Sequence, residues 1–478
     1  MFASLEISTL LGSIFVILYC ITIIGLVFLI LLENRNPLKT IPWVIVLILI
    51  PGVGLVFYYF FGREHRRLRI ITRRIYKRFL KQTKVYEHPH NIKEVPPDYI
   101  SLAHLLNNSN YSAIFKGSEI SVFTNGRDKI NTLLEDIRNA RNHIHLQYYI
   151  FNDDKAGNEV RKALIEKSRK GIKIRVLYDD VGSWSTKNRF FEQMRKEGIE
   201  VYPFLKVVFP ILTSKVNYRN HRKIVVIDGK TAYMGGMNIA DRYVEGNKLG
   251  PWRDTHFRIT GPGVHGLQAA FLLDWYAVSN VLIKGKEYYP EAKTTSDMKM
   301  QIVMNGPTSQ WRTLMQAFIF CISNAKKRIY IQTPYFLPTE ALNQALQMAA
   351  LGGIDVRLMI PKCSDTKSAQ MASFSYVDKM LKSGVKVYLY AKGFLHSKLL
   401  LIDDMLTCIG SSNFDFRSFE HNFEINAFIY QENFATKMKE TFMRDLHNCE
   451  DVLYPTWRKR PITRRLMESF MRLFAPLL

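Results

Sequence analysis

The nine-residue stretch Asn220-His221-Arg222-Lys223-Ile224-Val225-Val226-Ile227-Asp228 is written a second time as Leu395-His396-Ser397-Lys398-Leu399-Leu400-Leu401-Ile402-Asp403. In each copy a histidine and a lysine sit two apart, so on an extended strand both point to one face, while the apolar run behind them reads as a buried strand. Seventeen positions after each histidine an asparagine follows a small-residue turn, Gly235-Gly236-Met237-Asn238 in one copy and Gly410-Ser411-Ser412-Asn413 in the other. One chance match to H-x-K-x4-D is expected on the order of a few times in a hundred chains, so a single copy would say little. Two copies with the same downstream asparagine constrain the chain to two like halves.

The text around the copies also repeats. His143 to Phe151 is answered by Arg328 to Phe336, Ile172 to Tyr178 by Ile354 to Ile360, and Lys196-Glu197-Gly198-Ile199-Glu200-Val201-Tyr202 by Lys382-Ser383-Gly384-Val385-Lys386-Val387-Tyr388. Helical spacing between these strands, as at Ile130, Leu133, Leu134 and Ile137, predicts an α/β class: two tandem α/β/α sandwich halves, each with a mostly parallel sheet covered on both faces. The halves are expected at 111–285 and 286–455, with the seam in the polar stretch Val281 to Met300.

Ile7 to Leu32 is apolar for long enough to cross a bilayer as a helix. It is too long for a secretory leader, and no basic residue precedes it. A second apolar run, Ile41 to Phe61, is interrupted by Pro51, Gly52 and Gly54, and fits either a kinked span or a shallow re-entrant hairpin. Residues 1–62 are therefore expected to form a membrane hairpin. The basic residues that follow, from Arg63 to Lys81, place this flank and the large C-terminal part on the cytoplasmic side of a plasma membrane. Residues 63–110 complete this basic segment with a linker.

Lys and Arg exceed Asp and Glu by 24, which implies an anionic partner, either acidic lipid or nucleic acid. The membrane segments favour lipid, and no nucleic acid is expected. Five scattered cysteines without a C-x-x-C pair exclude a disulfide framework or a zinc ribbon. At 456–478 a basic segment carries Ile462, Leu466, Phe470, Leu473, Phe474 and Leu477 on one helical face. Such a segment can lie in a membrane interface or pack against the body.

Cutting a phosphodiester requires a nucleophile in line with the leaving oxygen, a proton for that oxygen, and donors around the other oxygens. Two facing sets of His, Lys and Asn supply all three. One of His221 and His396 would attack phosphorus and the other protonate the leaving alcohol, with Lys223, Lys398, Asn238 and Asn413 on the phosphoryl oxygens. Each imidazole also needs a carboxylate to set its tautomer. Asp254 in Trp252-Arg253-Asp254-Thr255-His256 and Glu424 in Asn422-Phe423-Glu424-Ile425-Asn426 stand at comparable distances downstream of the two histidines. Asp228 and Asp403 end their strands, where an aspartate holds a turn. His143 and His145, within an apolar strand, read as structural, and Asp179-Asp180 reads as a turn cap. No carboxylate cluster suited to magnesium or zinc flanks either motif, so neither metal nor cofactor is expected.

The two H-x-K-x4-D motifs with their downstream asparagines resemble the phospholipase D superfamily. Gly235 to Asp241, Trp252 to His256, Gly393 to His396 and Asn413 to Glu420 are similar, within it, to the bacterial cardiolipin synthase family, as is the hairpin ending in Phe60-Phe61-Gly62-Arg63. The resemblance implies phosphatidyl transfer between two phosphatidylglycerol molecules through a phosphohistidine. It assigns attack to His221 and proton transfer to His396, and counts Asp228 and Asp403 within the catalytic motif. It implies an anionic phospholipid membrane as partner. The chain departs from the family pattern at Arg242, where an acidic residue is usual, and over Lys362 to Met371. A hydrolase and a nuclease of the same superfamily are the competing activities.

Overall fold

The computed structural model describes residues 2–32, 37–58, 92–207 and 217–478. They fall into two compact units. In the N-terminal unit Phe2–Leu32 is one helix, whose Gly12–Leu32 portion, mean hydropathy 3.1, is long and apolar enough to cross a membrane. The second apolar run is two helices, Pro37–Leu49 and Pro51–Phe57. They break at Ile50 because Pro51 has no N–H to continue the ladder, and neither piece alone has the roughly 20 residues a span requires. Where the sequence suggests a hairpin of two membrane helices, the described residues show one unbroken helix and one run broken at Ile50. Ile30, Leu47 and Tyr58 pack together here, with the Trp43 ring edge-on to Tyr58. The basic cluster Arg63 to Lys81 lies outside the described residues.

The larger unit holds both halves of the repeat. The first sheet runs, edge to edge, Glu119–Phe123, His256–Thr260, Thr231–Gly235, Ile224–Ile227, His143–Tyr148, Lys173–Asp179 and Glu200–Phe204. The second contains the matching Glu424–Tyr430, Leu406–Gly410, Leu399–Ile402, Arg328–Gln332, Asp355–Pro361 and Lys386–Tyr390. Each half is α/β, but parallel pairing is confined to the last three of these strands. The others are antiparallel because the motif strand turns straight back on itself, Ile227 pairing with Thr231 and Ile402 with Leu406. In the first hairpin Asp228 and Gly229 both take the left-handed conformation, at φ 55° and 63°, the geometry for which Asp-Gly is selected.

Asp228 and Asp403 therefore sit at the hairpins. The Asp228 carboxylate accepts the backbone N–H groups of Arg141, Asn142 and His143 at 2.8, 2.7 and 3.0 Å. Asp403 does the same for Lys326, Lys327 and Arg328. Both aspartates tie the hairpin to the start of the neighbouring strand.

Helices cover the outer faces, and Gly263–Ser279 packs on strands of both sheets. One apolar cluster is continuous through the interface, joining Ile224, Phe257 and Phe271 to Met300, Tyr330, Leu399 and Ile425. The stretch read as linker is partly folded. Ile100–Asn110 is a helix whose Leu102 and Leu106 enter the second half's core; the prolines and polar residues of the stretch hid this apolar spacing. Ile114–Lys116, expected in the first half, instead pairs with Lys299–Gln301 at the edge of the second sheet.

Asp228→Ala strands two or three N–H groups and leaves alanine at positive φ, and should cost ~2 kcal/mol. The lowered thermal midpoint of the purified full chain measures this; an unchanged midpoint would contradict the turn-holding role.

Candidate active site

The residues before each histidine are fixed by the opposite half. His221 N–H donates to the Phe423 carbonyl at 2.9 Å, and Phe423 N–H to the Arg219 carbonyl at 2.9 Å. In the other copy Phe394–Leu395 pairs in parallel with Trp252–Arg253, and His396 N–H donates to the Arg253 carbonyl at 2.8 Å. Each motif strand is thereby zipped to the residues just ahead of the other half's candidate carboxylate.

Side chains follow this crossing. His221 Nδ1 lies 3.1 Å from both oxygens of Glu424, and His396 Nδ1 lies 2.6 Å from Asp254 Oδ2. Downstream spacing invites pairing each carboxylate with the histidine before it in the chain; the fold makes the opposite pairs. A carboxylate on Nδ1 selects the Nδ1–H tautomer and leaves Nε2 as the basic nitrogen.

The carboxylates are held in turn. Glu424 accepts from Ser411 and Ser418 Oγ and from Asn422 Nδ2, and Asp254 Oδ1 accepts the Thr255 N–H at 2.7 Å. Gly236 stands where Ser411 stands in the second copy. A Cβ there would lie 2.1 Å from Asp254 Oδ1, so glycine makes room for Asp254, whereas Ser411 donates to the corresponding carboxylate, Glu424.

A further matched set lies beneath the site, and sequence reasoning missed it. Arg222, next to His221, is ion-paired with Asp274, which also accepts from Gln147 and Asn220. Arg253, next to Asp254, is ion-paired with Asp445, which accepts from Gln332. Gln147 and Gln332 occupy the same place in the two matched strands, a signal that was available.

Lys223 Nζ donates to the His221 carbonyl at 2.6 Å. Lys398 Nζ donates to the His396 carbonyl and lies 3.8 Å from Asp254. Both lysines are buried, beneath the histidines rather than on the cleft wall. Asn238 accepts the Ile150 N–H and donates to Tyr243 Oη at 2.7 Å, while Asn413 donates to Asp415 at 3.0 Å. His143 and His145 are bridged by Gln268 inside the first half. Asp179 caps its turn at Gly182 and also accepts the Asn220 N–H at 2.7 Å, so it steadies the motif strand.

Both histidines open onto one cleft of about 400 Å³, shared with Asn238, Asn413, Arg219, Arg242 and Arg417. The Tyr149 ring stands edge-on to His221 at 5.0 Å, and Trp252 lies 5.3 Å from His396. Asp228 and Asp403 are not on its wall, which corrects their place in the catalytic motif. Among the described residues no group of three His, Cys, Asp or Glu side chains could hold a metal ion.

Burial, then the adjacent lysine, lowers both imidazoles against the pull of their carboxylates, His396 to about 4. Burial also lowers Lys398 to about 8 and Lys223 well below its usual value. Burial opposes ionisation of Asp254 and Glu424, but the charges and hydrogen bonds around them hold both below the usual carboxylate range. The imidazoles are therefore neutral near neutral pH, and an anion in the cleft favours protonation.

Binding of diethyl phosphate, a fixed monoanion, should take up protons near neutral pH and tighten as pH falls. Calorimetry in buffers of different ionisation enthalpy reads this uptake, and identical heats would contradict it. Gly236→Ala should lower turnover by ~10²-fold through displacement of Asp254, and should also lower the thermal midpoint, because the displaced carboxylate is buried and paired. Full activity in this variant would show that the close approach is unimportant.

A family model described as "Cardiolipin synthase, PLD-like domain" matches residues 133–248 and 318–446, and "Phospholipase_D-nuclease N-terminal" matches 17–63. The chain is 39% identical to the major cardiolipin synthase ClsA of Bacillus subtilis (strain 168), over 99% of this chain and 100% of that one. It is likewise 39% identical to a cardiolipin synthase of Geobacillus sp. (strain WCH70), over 98% and 94%. Among solved structures, phosphatidylserine synthase of Haemophilus influenzae Rd KW20 shares the fold, with a TM-score of 0.63, 16% identity, and coverage of 79% of this chain and 100% of that one. With full-length identity and both halves matched, the chain belongs to the cardiolipin synthase family of phospholipase D-like proteins.

Proposed function

We propose that this chain is a phosphatidyltransferase that joins two phosphatidylglycerol molecules into cardiolipin and releases glycerol. The observation that carries the reading is that both histidines, each backed by a carboxylate from the other half, open onto one cleft in a chain similar throughout its length to cardiolipin synthases.

His221 Nε2 attacks phosphorus of the first lipid, and the bond from phosphorus to the headgroup glycerol oxygen breaks. His396, protonated once the anionic lipid is bound, gives that oxygen its proton, and glycerol leaves. A phosphatidyl-histidine remains. His396 then removes the proton of the second lipid's terminal hydroxyl, whose oxygen attacks phosphorus as the P–N bond breaks. Asn238 and Asn413 line the cleft as donors for the phosphoryl oxygens, and Lys223 and Lys398, whose protonated forms an anion in the cleft favours, supply positive charge from beneath. Glu424 and Asp254 stabilise the imidazolium forms. The excess of basic residues after the second apolar run, read by the positive-inside rule, supports a catalytic body on the cytoplasmic face of the plasma membrane, with the N-terminal segments as its multi-pass anchor.

Purified protein with phosphatidylglycerol vesicles should yield cardiolipin and glycerol in equal amounts. Phosphatidic acid as the main product would instead show that water is the acceptor. His221→Ala and His396→Ala should each lower turnover by at least ~10³-fold. Labelled phosphatidyl trapped on His396→Asn but not on His221→Asn identifies His221 as nucleophile, and the converse pattern reverses the roles.

A further inference from the structure

The C-terminal helix Ile462–Arg472 lies against the helix Lys367–Lys382, and it lies the wrong way round for a core-packed amphipathic helix. Its one acidic residue, Glu468, is 2% exposed and accepts two hydrogen bonds from Arg460, at 2.7 and 2.8 Å, and one from Arg464 at 3.2 Å. Arg460 stacks on Trp457 at 3.5 Å, and Trp457 meets Phe374 of the neighbouring helix. Glu468 is thus consumed in holding the helix down. The apolar stripe faces outward: Ile462, Leu466 and Leu473 are 79, 71 and 73% exposed, and Phe470 is half exposed. A contiguous apolar stripe left in solvent marks a docking surface.

What covers it is set by charge and by where the stripe leads. Arg458, Lys459, Arg464, Arg465 and Arg472 are exposed around it, while the segment's only acidic side chain, Glu468, is already ion-paired within the fold. Two copies meeting on this face would oppose like charges. Past Arg472 the chain turns, Ala475 enters the core, and Leu477 and Leu478 form part of the wall of the cleft that holds His221 and His396. The stripe is therefore continuous with the mouth of the cleft.

We infer that this face docks on an anionic lipid bilayer, apolar side chains among the acyl chains and arginines at the headgroups, and so seats the cleft mouth on the membrane. A lipid then enters headgroup first along Leu477 and Leu478 with its chains shielded from water. This rests on the reading that the substrate is a membrane phospholipid.

The test uses the full chain. Leu466→Ser/Phe470→Ser should lower kcat/KM by at least ~10-fold on phosphatidylglycerol in vesicles. It should change it less than about twofold on short-chain phosphatidylglycerol below its micelle concentration, because the cleft is intact. Equal loss on both substrates, or none on either, overturns the proposal. In a second measurement, a nitroxide at Leu466→Cys, with Cys20 and Cys363 replaced by serine, is exposed to oxygen and to a water-soluble nickel complex in vesicles of phosphatidylglycerol and phosphatidylcholine. Preferential relaxation by oxygen supports docking. Preferential relaxation by nickel, or label-to-label distances showing pairing of two copies through this helix, overturns it. If the wild type makes no cardiolipin from either substrate, the catalytic reading fails, while the nitroxide still decides the docking.

Discussion

Two hydrogen bonds from imidazole to carboxylate, each crossing from one half of the chain to the other, are the contacts on which the site depends. Both carboxylates and both lysines are buried, where an isolated charge would cost several kcal/mol in desolvation. Charge is tolerated because the groups answer one another: Glu424 with His221, Ser411 and Ser418, Asp254 with His396 and Lys398. Removing one partner of such a buried pair typically costs roughly 3–5 kcal/mol. The geometry of the cleft is thus a property of the interface between halves.

The same crossing organises the backbone. The parallel pairing of Phe394–Leu395 with Trp252–Arg253 and the bridge of Asn220 to Phe423 set each histidine beside the other half's carboxylate. Arg222 and Arg253, adjacent to these residues, are anchored by Asp274 and Asp445. A core continuous from Phe271 to Ile425 keeps the halves in register. Gly236 is required by contact at this centre, since any side chain there would occupy the space of the Asp254 carboxylate.

Much of this was legible in the sequence because duplication leaves marks that survive folding. The two motifs, the asparagines seventeen positions on, and the matched strands gave the two-half fold and brought His221, His396, Asn238 and Asn413 to one place. The crossed pairing was not legible, since Asp254 and Glu424 stand at comparable short distances after His221 and His396, which points to in-order pairs, and only the fold brings Glu424 to His221 and Asp254 to His396. The antiparallel strands were underestimated because the hairpin signal Asp228-Gly229 lay inside a motif read for its chemistry. At the C-terminus periodicity showed an apolar stripe but not its direction, which depends on Arg460, stacked on Trp457, reaching Glu468 from outside the helix.

The separation of 203 positions from His221 to Glu424 bears on how the protein is made. A ribosome delivers the first imidazole long before its acidic counterpart, so a partly synthesised chain holds a histidine with neither its tautomer chosen nor its cleft enclosed. The geometry that phosphoryl transfer needs is therefore complete only once the second sheet has folded against the first.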